Sequence, residues 1–306
     1  MTTITATTQD AGTSRESVEQ PGALTLLLRY LRRNKGLAIG LLILLGLVLF
    51  TAIGLMTINP KQAYPLAVAT RKPPSLQYPF GTDFFGRNLL AAMVMGMWQT
   101  AVIGVLAGGL GTLIGVVLGF ISAYFGGWID GVIRTVCQIL TPIPVLLIQV
   151  VVAGSLDKRD VTIITMAFIV VMLAWMGPTL VIRAQVLTMK ERQFVSVAKL
   201  SGVSDLGIIF KEILPNLLPF IAAAFVGQVF SAVFASFYLA VLGLGPLREP
   251  LLGNIIWAAQ LQGAFFNGWW WWPIAPSVAM ILILGSLALI NMGLDELANP
   301  RVRRTE

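Results

Sequence analysis

The sequence predicts an all-α membrane protein with six transmembrane helices. Charged residues are scarce, 11% of the 306, while hydrophobic ones reach 57%; soluble domains carry about 25% charge. Six apolar runs recur along the chain, each long enough to cross about 30 Å of hydrocarbon as a helix. A third observation is a polar island, Phe194–Pro219, set between two of those runs. It is too polar to cross a bilayer and too apolar on one face to be a plain loop.

Residues 1–23 are small and polar and are expected to be a disordered cytoplasmic tail. No cleavable signal sequence is expected, since the first apolar run is long enough to span. Leu24 to Lys35 reads as a short amphipathic helix at the membrane surface, with Arg29, Arg32, Arg33 and Lys35 facing headgroups or serving as a positive-inside anchor. The first span is predicted near Leu37–Thr57. A polar segment rich in proline follows to about Met95, so residues 24–96 form one expected unit. A five-helix core is expected over 97–294. Its first span, near Thr100–Tyr124, is rich in glycine, which lets helices approach closely in lipid. The next runs near Ile129–Gly154, kinked by Pro142 and Pro144. Another is expected near Val161–Ile182, with Gly177-Pro178 late in it. Span five runs near Leu217–Leu242 and span six near Pro273–Leu294. Residues 295–306 form a second polar cytoplasmic tail.

Six spans put both termini on one side, and the basic residues choose which. With the N-terminus inside, 14 of the 21 Lys and Arg fall in inside segments. The other seven, Lys61, Arg71, Lys72, Arg87, Lys158, Arg159 and Arg248, fall outside. The positive-inside rule then places the termini and the polar island in the cytoplasm. The net charge of +7 is a topological signal and does not point to nucleic acid. Membrane lipid is the expected surrounding.

The island has the pattern of a helix–glycine–helix elbow. Val195, Ala198 and Leu206 fall near one side, and Ser196, Lys199 and Asp205 near the other. Gly202 permits the sharp turn of a helix end, and Asp205 can open a second short helix. Pro215 and Pro219 mark the entry of the next span. Such an elbow at a membrane surface is a docking knob for a cytoplasmic partner; the plainer reading is an amphipathic connector.

Several chemistries are missing. With no His and a single cysteine, Cys137, a His/Cys metal or haem site is not expected, nor is an intramolecular disulfide. No phosphate-binding glycine loop of the G-x-x-x-x-G-K-[ST] type occurs, so the chain is not expected to hydrolyse ATP or to carry a catalytic residue. The acidic residues around the spans, Asp130, Asp157, Asp160, Glu191, Asp205, Glu212, Asp295 and Glu296, lie at or beyond span ends. An ion-coupled carrier ordinarily holds a carboxylate or a broken-helix ion site in the membrane. An engine outside the chain, acting on its elbow, is therefore expected.

The stretch VSVAKLSGVSDLGIIFKEILP resembles the cytoplasmic E-A-A…G…L-P signature of bacterial ABC importer permeases. Ala198, Gly202, Leu214 and Pro215 match it; Ser196 stands in place of the family's Glu and Val197 in place of its first Ala. The outer stretch from Tyr78 to Asn88 is similar to the F-G-T-D-x-x-G-R-D segment of the second permease in dipeptide, oligopeptide and nickel importers, through Phe80, Gly81, Thr82, Asp83, Gly86 and Arg87. Further likeness lies in SFYLAVLGLG (Ser236 to Gly245), in Gly253-Asn254 and in LDELANPR, so it extends from about Leu24 to Arg301. The resemblance implies a type I ABC importer permease fold with a coupling elbow over 190–216. It implies three kinds of company in a bacterial or archaeal cell membrane: a homologous second permease, two ABC ATPase subunits that bind ATP and Mg, and an extracytoplasmic solute-binding protein. An oligopeptide is the solute it implies first, with oligosaccharides and nickel chelates carried by similar permeases. From other classes, a secondary carrier would import without ATP, and an assembly subunit would show no flux.

Three groups remain with two readings each. In the outer motif, Asp83 and Arg87 either pair to hold a turn or meet the binding protein. Gln228, Ser231, Ser236 and Gln149 are polar positions in spans; they either line the solute path or bond to helix backbone and neighbours. Gln228 and Ser231 lead because they share a helical face. The run Trp269, Trp270, Trp271 and Trp272, with Trp257 nearby, is either an aromatic belt at the headgroups or a stacking surface for sugar rings.

Overall fold

A computed structural model describes residues 30–157 and 159–298. Among these residues the chain is helical with no strand, apart from one isolated bridge between Thr82 and Asn88. Of the predicted amphipathic helix, Tyr30–Arg33 is described and helical; its earlier residues and both terminal tails lie outside the described residues.

Helix α1 is Lys35–Thr57, opened by Asn34, whose side chain accepts from the Leu37 N–H. Helix α2, Leu89–Phe125, is capped in the same way by Asn88. The expected start near Thr100 is corrected by ten residues and more. Leu89 to Trp98 is an unbroken apolar run behind a good cap, so nothing delays the helix. At about 1.5 Å per residue its 37 residues reach about 55 Å, well beyond the hydrocarbon thickness. The boundary expected between residues 96 and 97 therefore falls inside α2.

The third run breaks into α3 (Gly127–Leu140) and α4 (Val145–Ser155), which meet at 79°. Pro142 and Pro144 interrupt the backbone ladder between them. The fourth run becomes α5 (Ile163–Ala174) and α6 (Met176–Lys190), bent by 42° at Trp175. It ends eight residues past the predicted Ile182, because no Gly or Pro follows Pro178 before the helix closes at Lys190. Four helices are long and apolar enough to span by themselves, and six spans result if each bent pair is one.

After α7 (Gln193–Leu200) comes α8, a continuous 37-residue helix from Asp205 to Val241. The prediction that Pro215 and Pro219 open this span is corrected: α8 begins ten residues earlier and runs through both. A π-helical stretch, Ile208–Ile213, lies just before Pro215 and absorbs the break in the ladder caused by its missing N–H. The second half of the elbow is thus the first turns of the span itself. Helix α9 (Leu252–Leu261) folds back in the following segment, and α10 (Trp271–Ala298) is the last span.

Helix α2 is the hub, packing against α6 and α8. Its glycines make this close: a Cβ on Gly108 would lie 2.7 Å from the Val229 nitrogen, and one on Gly115 2.5 Å from the Pro178 Cβ. Helix α1 leans on α10. Tyr30 Oη donates to the Gly293 carbonyl at 2.7 Å and Asn34 Nδ2 to Glu296 Oε2 at 2.7 Å. The start of the first span and the end of the last therefore share one side.

Candidate functional site

The elbow is built from two local signals. Helix α7 ends in paired bonds from the Gly202 N–H to the Lys199 carbonyl (3.1 Å) and from the Val203 N–H to the Ala198 carbonyl (3.1 Å). This is the Schellman arrangement, and it needs a left-handed residue, which Gly202 supplies at φ 77°. Ser204 then caps α8 by accepting from the Gly207 N–H. The predicted turn and the predicted helix start at Asp205 are both present.

One face of the elbow is seated. Val195, Ile208, Ile209, Ile213 and Leu217 bury themselves against Phe120, Ala123 and Tyr124 of α2 and Ile182 and Val186 of α6, with Ala198 and Leu214 alongside. The other face is open. Val197, Leu206 and Phe210 are each more than 60% exposed and Leu200 89%. Ser196, Gly202 and Pro215 are exposed beside them. Large apolar side chains left bare on a connector too polar to enter lipid are what a protein partner can cover.

Behind the seat lies a polar cluster that sequence reasoning missed. Tyr124 Oη donates to Asp205 Oδ1 at 2.6 Å, and Lys190 Nζ donates to the Tyr124 carbonyl at 2.8 Å. Arg183 grips Asp130 with two bonds, 2.5 and 2.6 Å, and Ser122 Oγ donates to the same carboxylate. The available signal was opposite charge at adjacent span ends on one predicted side; nothing local said which charges meet.

At the other end of the bundle, the stretch around Phe80–Arg87 is a compact structure. Asp83 accepts from the Arg87 N–H at 2.8 Å and is ion-paired to the Arg87 guanidinium, the turn-holding arrangement. Thr82 Oγ1 donates to the Ala69 carbonyl and accepts from the Lys72 N–H, tying the loop across its base. Gly81 is left-handed at φ 75°, and a Cβ there would lie 2.7 Å from the Trp271 ring. The tryptophan run is what this loop rests on. Trp271 Nε1 donates to the Thr82 carbonyl, Trp269 lies 6.1 Å from Phe84, and Trp272 meets Phe85 edge-on at 6.2 Å. Arg71 sits over both Phe84 and Trp269.

Neither expectation for the run, headgroup belt or sugar platform, describes Trp272, which is fully buried. Trp269 and Trp271 are half-buried in the same packing, and Trp257 presses on the backbone at Gly243. Only Trp270 of the run stands exposed, at 55%, over an apolar groove of about 510 Å³ with Phe50 and Phe80. The physical reason is the ring area of Phe84 and Phe85, which Trp269 and Trp272 cover.

The path candidates divide. Gln149 is buried between α4 and α5, its Nε2 3.5 Å from the Val170 carbonyl. Ser236 is buried and bonded to the Val233 carbonyl. Within this chain both side chains are enclosed, unlike the other two candidates. Ser231 is exposed, with its hydroxyl bonded to the Gly227 carbonyl, and Gln228 is half-buried where α8 passes Gly177. Toward the end that carries the Phe80–Arg87 loop, Gln99 Nε2 donates to the Glu249 carboxylate, and Asn254 Nδ2 donates to the Pro246 and Glu249 carbonyls. Burial, and then the Glu249 carboxylate, push the Tyr64 phenol above its usual value. No group of three or more His, Cys, Asp or Glu converges as a metal site among the described residues.

The family model described as binding-protein-dependent transport system inner membrane component matches residues 115–304. The dipeptide transport system permease protein of Bacillus subtilis (strain 168) is 29% identical over 277 residues, 90% of this chain and 85% of that protein. The putative peptide transport system permease protein of Brucella abortus is 29% identical over 287 residues, 92% and 93% of the two chains. The oligopeptide transport system permease protein of Mycobacterium tuberculosis (strain ATCC 25618 / H37Rv) is 28% identical over 282 residues, 91% and 95%.

Proposed function

The chain belongs to the family of binding-protein-dependent transport system inner membrane components, and from that premise we propose that it is one permease of an ATP-driven peptide importer. The observation that carries the energy-coupling half of this reading is the elbow, seated on one face and bare and apolar on the other. Peptide as the solute is supported by the names of its relatives, each aligned over about nine-tenths of this chain.

The chain works as half of a translocation path, with a homologous permease as the other half. Two ATPase subunits bind ATP and Mg and grip the elbows from the cytoplasm. A solute-binding protein delivers the peptide to the outer face, where the Phe80–Arg87 loop and Trp270 lie. ATP draws the ATPases together, the elbows follow, and the permease pair opens outward to receive peptide. Hydrolysis reverses the movement. Within this chain the Thr141–Pro144 break and the bend at Trp175 are the places where half-spans swing, since their backbone ladders are already interrupted. Ser196, Val197, Gly202 and Pro215 face the ATPase, while Ala198 and Leu214 seat the elbow. Gln228 and Ser231 are the path-lining groups on α8. Both termini lie in the cytoplasm of a bacterial or archaeal cell.

Reconstitution of the complete complex in liposomes tests this. Labelled peptide should accumulate only with ATP inside the cytoplasmic-face compartment and with binding protein on the other face. Accumulation that persists without ATP would make the protein a secondary carrier, and uptake of oligosaccharide but not peptide would overturn the solute.

A further inference from the structure

The elbow meets the helix bundle in two ways. Its buried isoleucines and Val195 press on α2 and α6, an apolar contact that resists separation. Such contact is non-directional; the backbone of α8 carries the second half of the elbow, while α7 reaches it across the Gly202 turn. Among the described residues, one side-chain hydrogen bond joins residues 193–216 to the rest of the chain: Tyr124 Oη to Asp205 Oδ1 at 2.6 Å. A hydrogen bond is directional, and it fixes orientation as well as distance.

Both of its ends are themselves anchored. Asp205 occupies the first turn of α8 behind the Ser204 cap, where the helix N-terminus favours a carboxylate. Tyr124 is in the last turn of α2 and is 9% exposed. The Lys190 ammonium at the end of α6 bonds its carbonyl and sits 5.4 Å over its ring. Two residues earlier Ser122 joins Asp130 of α3, which holds Arg183 of α6.

We propose that Tyr124 is a positioning residue for energy coupling, its hydroxyl orienting the elbow through Asp205 while Lys190 and the Ser122–Asp130–Arg183 set hold its end of α2 to α6 and α3. The assignment rests on the importer reading above. It makes the elbow, the end of α2, the start of α3 and the end of α6 one block. A push on the elbow then reaches α3, the first half of the span broken at Thr141–Pro144, instead of turning the elbow on its apolar seat.

Tyr124→Phe removes the hydroxyl and keeps the ring, so the packing and the Lys190 contact survive. Reconstituted wild type, Tyr124→Phe, Asp205→Asn and the double variant are compared for peptide imported per ATP hydrolysed, counting only complexes that retain their ATPases. Both single variants should lose about tenfold in this ratio, the weight of a hydrogen bond to a charged group. The double variant should be no worse than either. A role in folding alone would lower the yield of complex and leave the ratio unchanged, and that result would overturn the assignment. A second readout does not depend on the solute. Spin labels at Lys199 and Thr188, in a Cys137→Ala background, should give one narrow distance in the wild type and a broadened one in Tyr124→Phe. An equally narrow distance in the variant also overturns the role of Tyr124. Failure of wild type to import peptide, with the broadening present, counts against the importer reading alone.

Discussion

Trp270 and Trp272 are two positions apart and differ in nearly everything physical. Trp272 is fully enclosed with Phe85 against its ring, while Trp270 keeps more than half its surface open. Truncating a buried tryptophan removes its packing and leaves a cavity, typically about 3–5 kcal/mol. Trp272→Ala should therefore loosen the Phe80–Arg87 loop, seen as a lower melting temperature and new proteolytic cleavage within residues 66–88. Trp270→Phe should leave melting and cleavage as in the wild type. The reverse ranking would show that the run is an outward surface and not the floor of the loop. A contiguous sequence run thus divides into one exposed side chain and three that pack within the protein, against or beside the Phe80–Arg87 loop.

At the scale of the element, the elbow shows how a turn and a surface are separable. Gly202 is left-handed and a Cβ there would meet nothing within 4 Å. Alanine would carry only the backbone strain, about 1–2 kcal/mol. Tryptophan would add a bulky side chain in the middle of the exposed face. Gly202→Ala should keep most binding-protein-stimulated ATP turnover, and Gly202→Trp should abolish it while the permease pair still assembles. Wild-type turnover in Gly202→Trp would remove the elbow as the docking element. Equal loss in both variants would assign the defect to the turn and not to the surface.

Across the whole molecule, orientation decides whether the elbow can be reached from the cytoplasm. The Asn34–Glu296 and Tyr30–Gly293 bonds bring the two ends of the membrane domain together. The bias of basic residues, 14 against seven, predicts that this side is the cytoplasm. In a Cys137→Ala background, cysteine in place of Asp157 should react with an impermeant thiol reagent added outside. Cysteine in place of Ser204 should react only after lysis. The opposite pattern would invert the protein and leave the elbow with no ATPase to meet. Both positions are exposed, so accessibility follows from the side of the membrane and not from burial.

The sequence by itself determined the number and order of the apolar runs, the common side of the ends, and the elbow. Each depends on residues within a few positions of one another: a run long enough for the bilayer, a proline that breaks a ladder, a glycine at a helix end, a serine or asparagine at a helix start. Even locally two effects competed. The apolar run Leu89 to Trp98 started α2 early, and a π-helical stretch carried α8 through Pro215. Only the tertiary structure decided the pairings. Tyr124 and Asp205 are 81 positions apart, Asp130 and Arg183 53, and Thr82 and Trp271 189. Which charge meets which, and which tryptophan is floor and which is surface, depends on how close α2 can come to α6 and α8 and on how the outer segment folds back over α10. Those distances come from packing between whole helices, and no stretch of neighbouring residues encodes them.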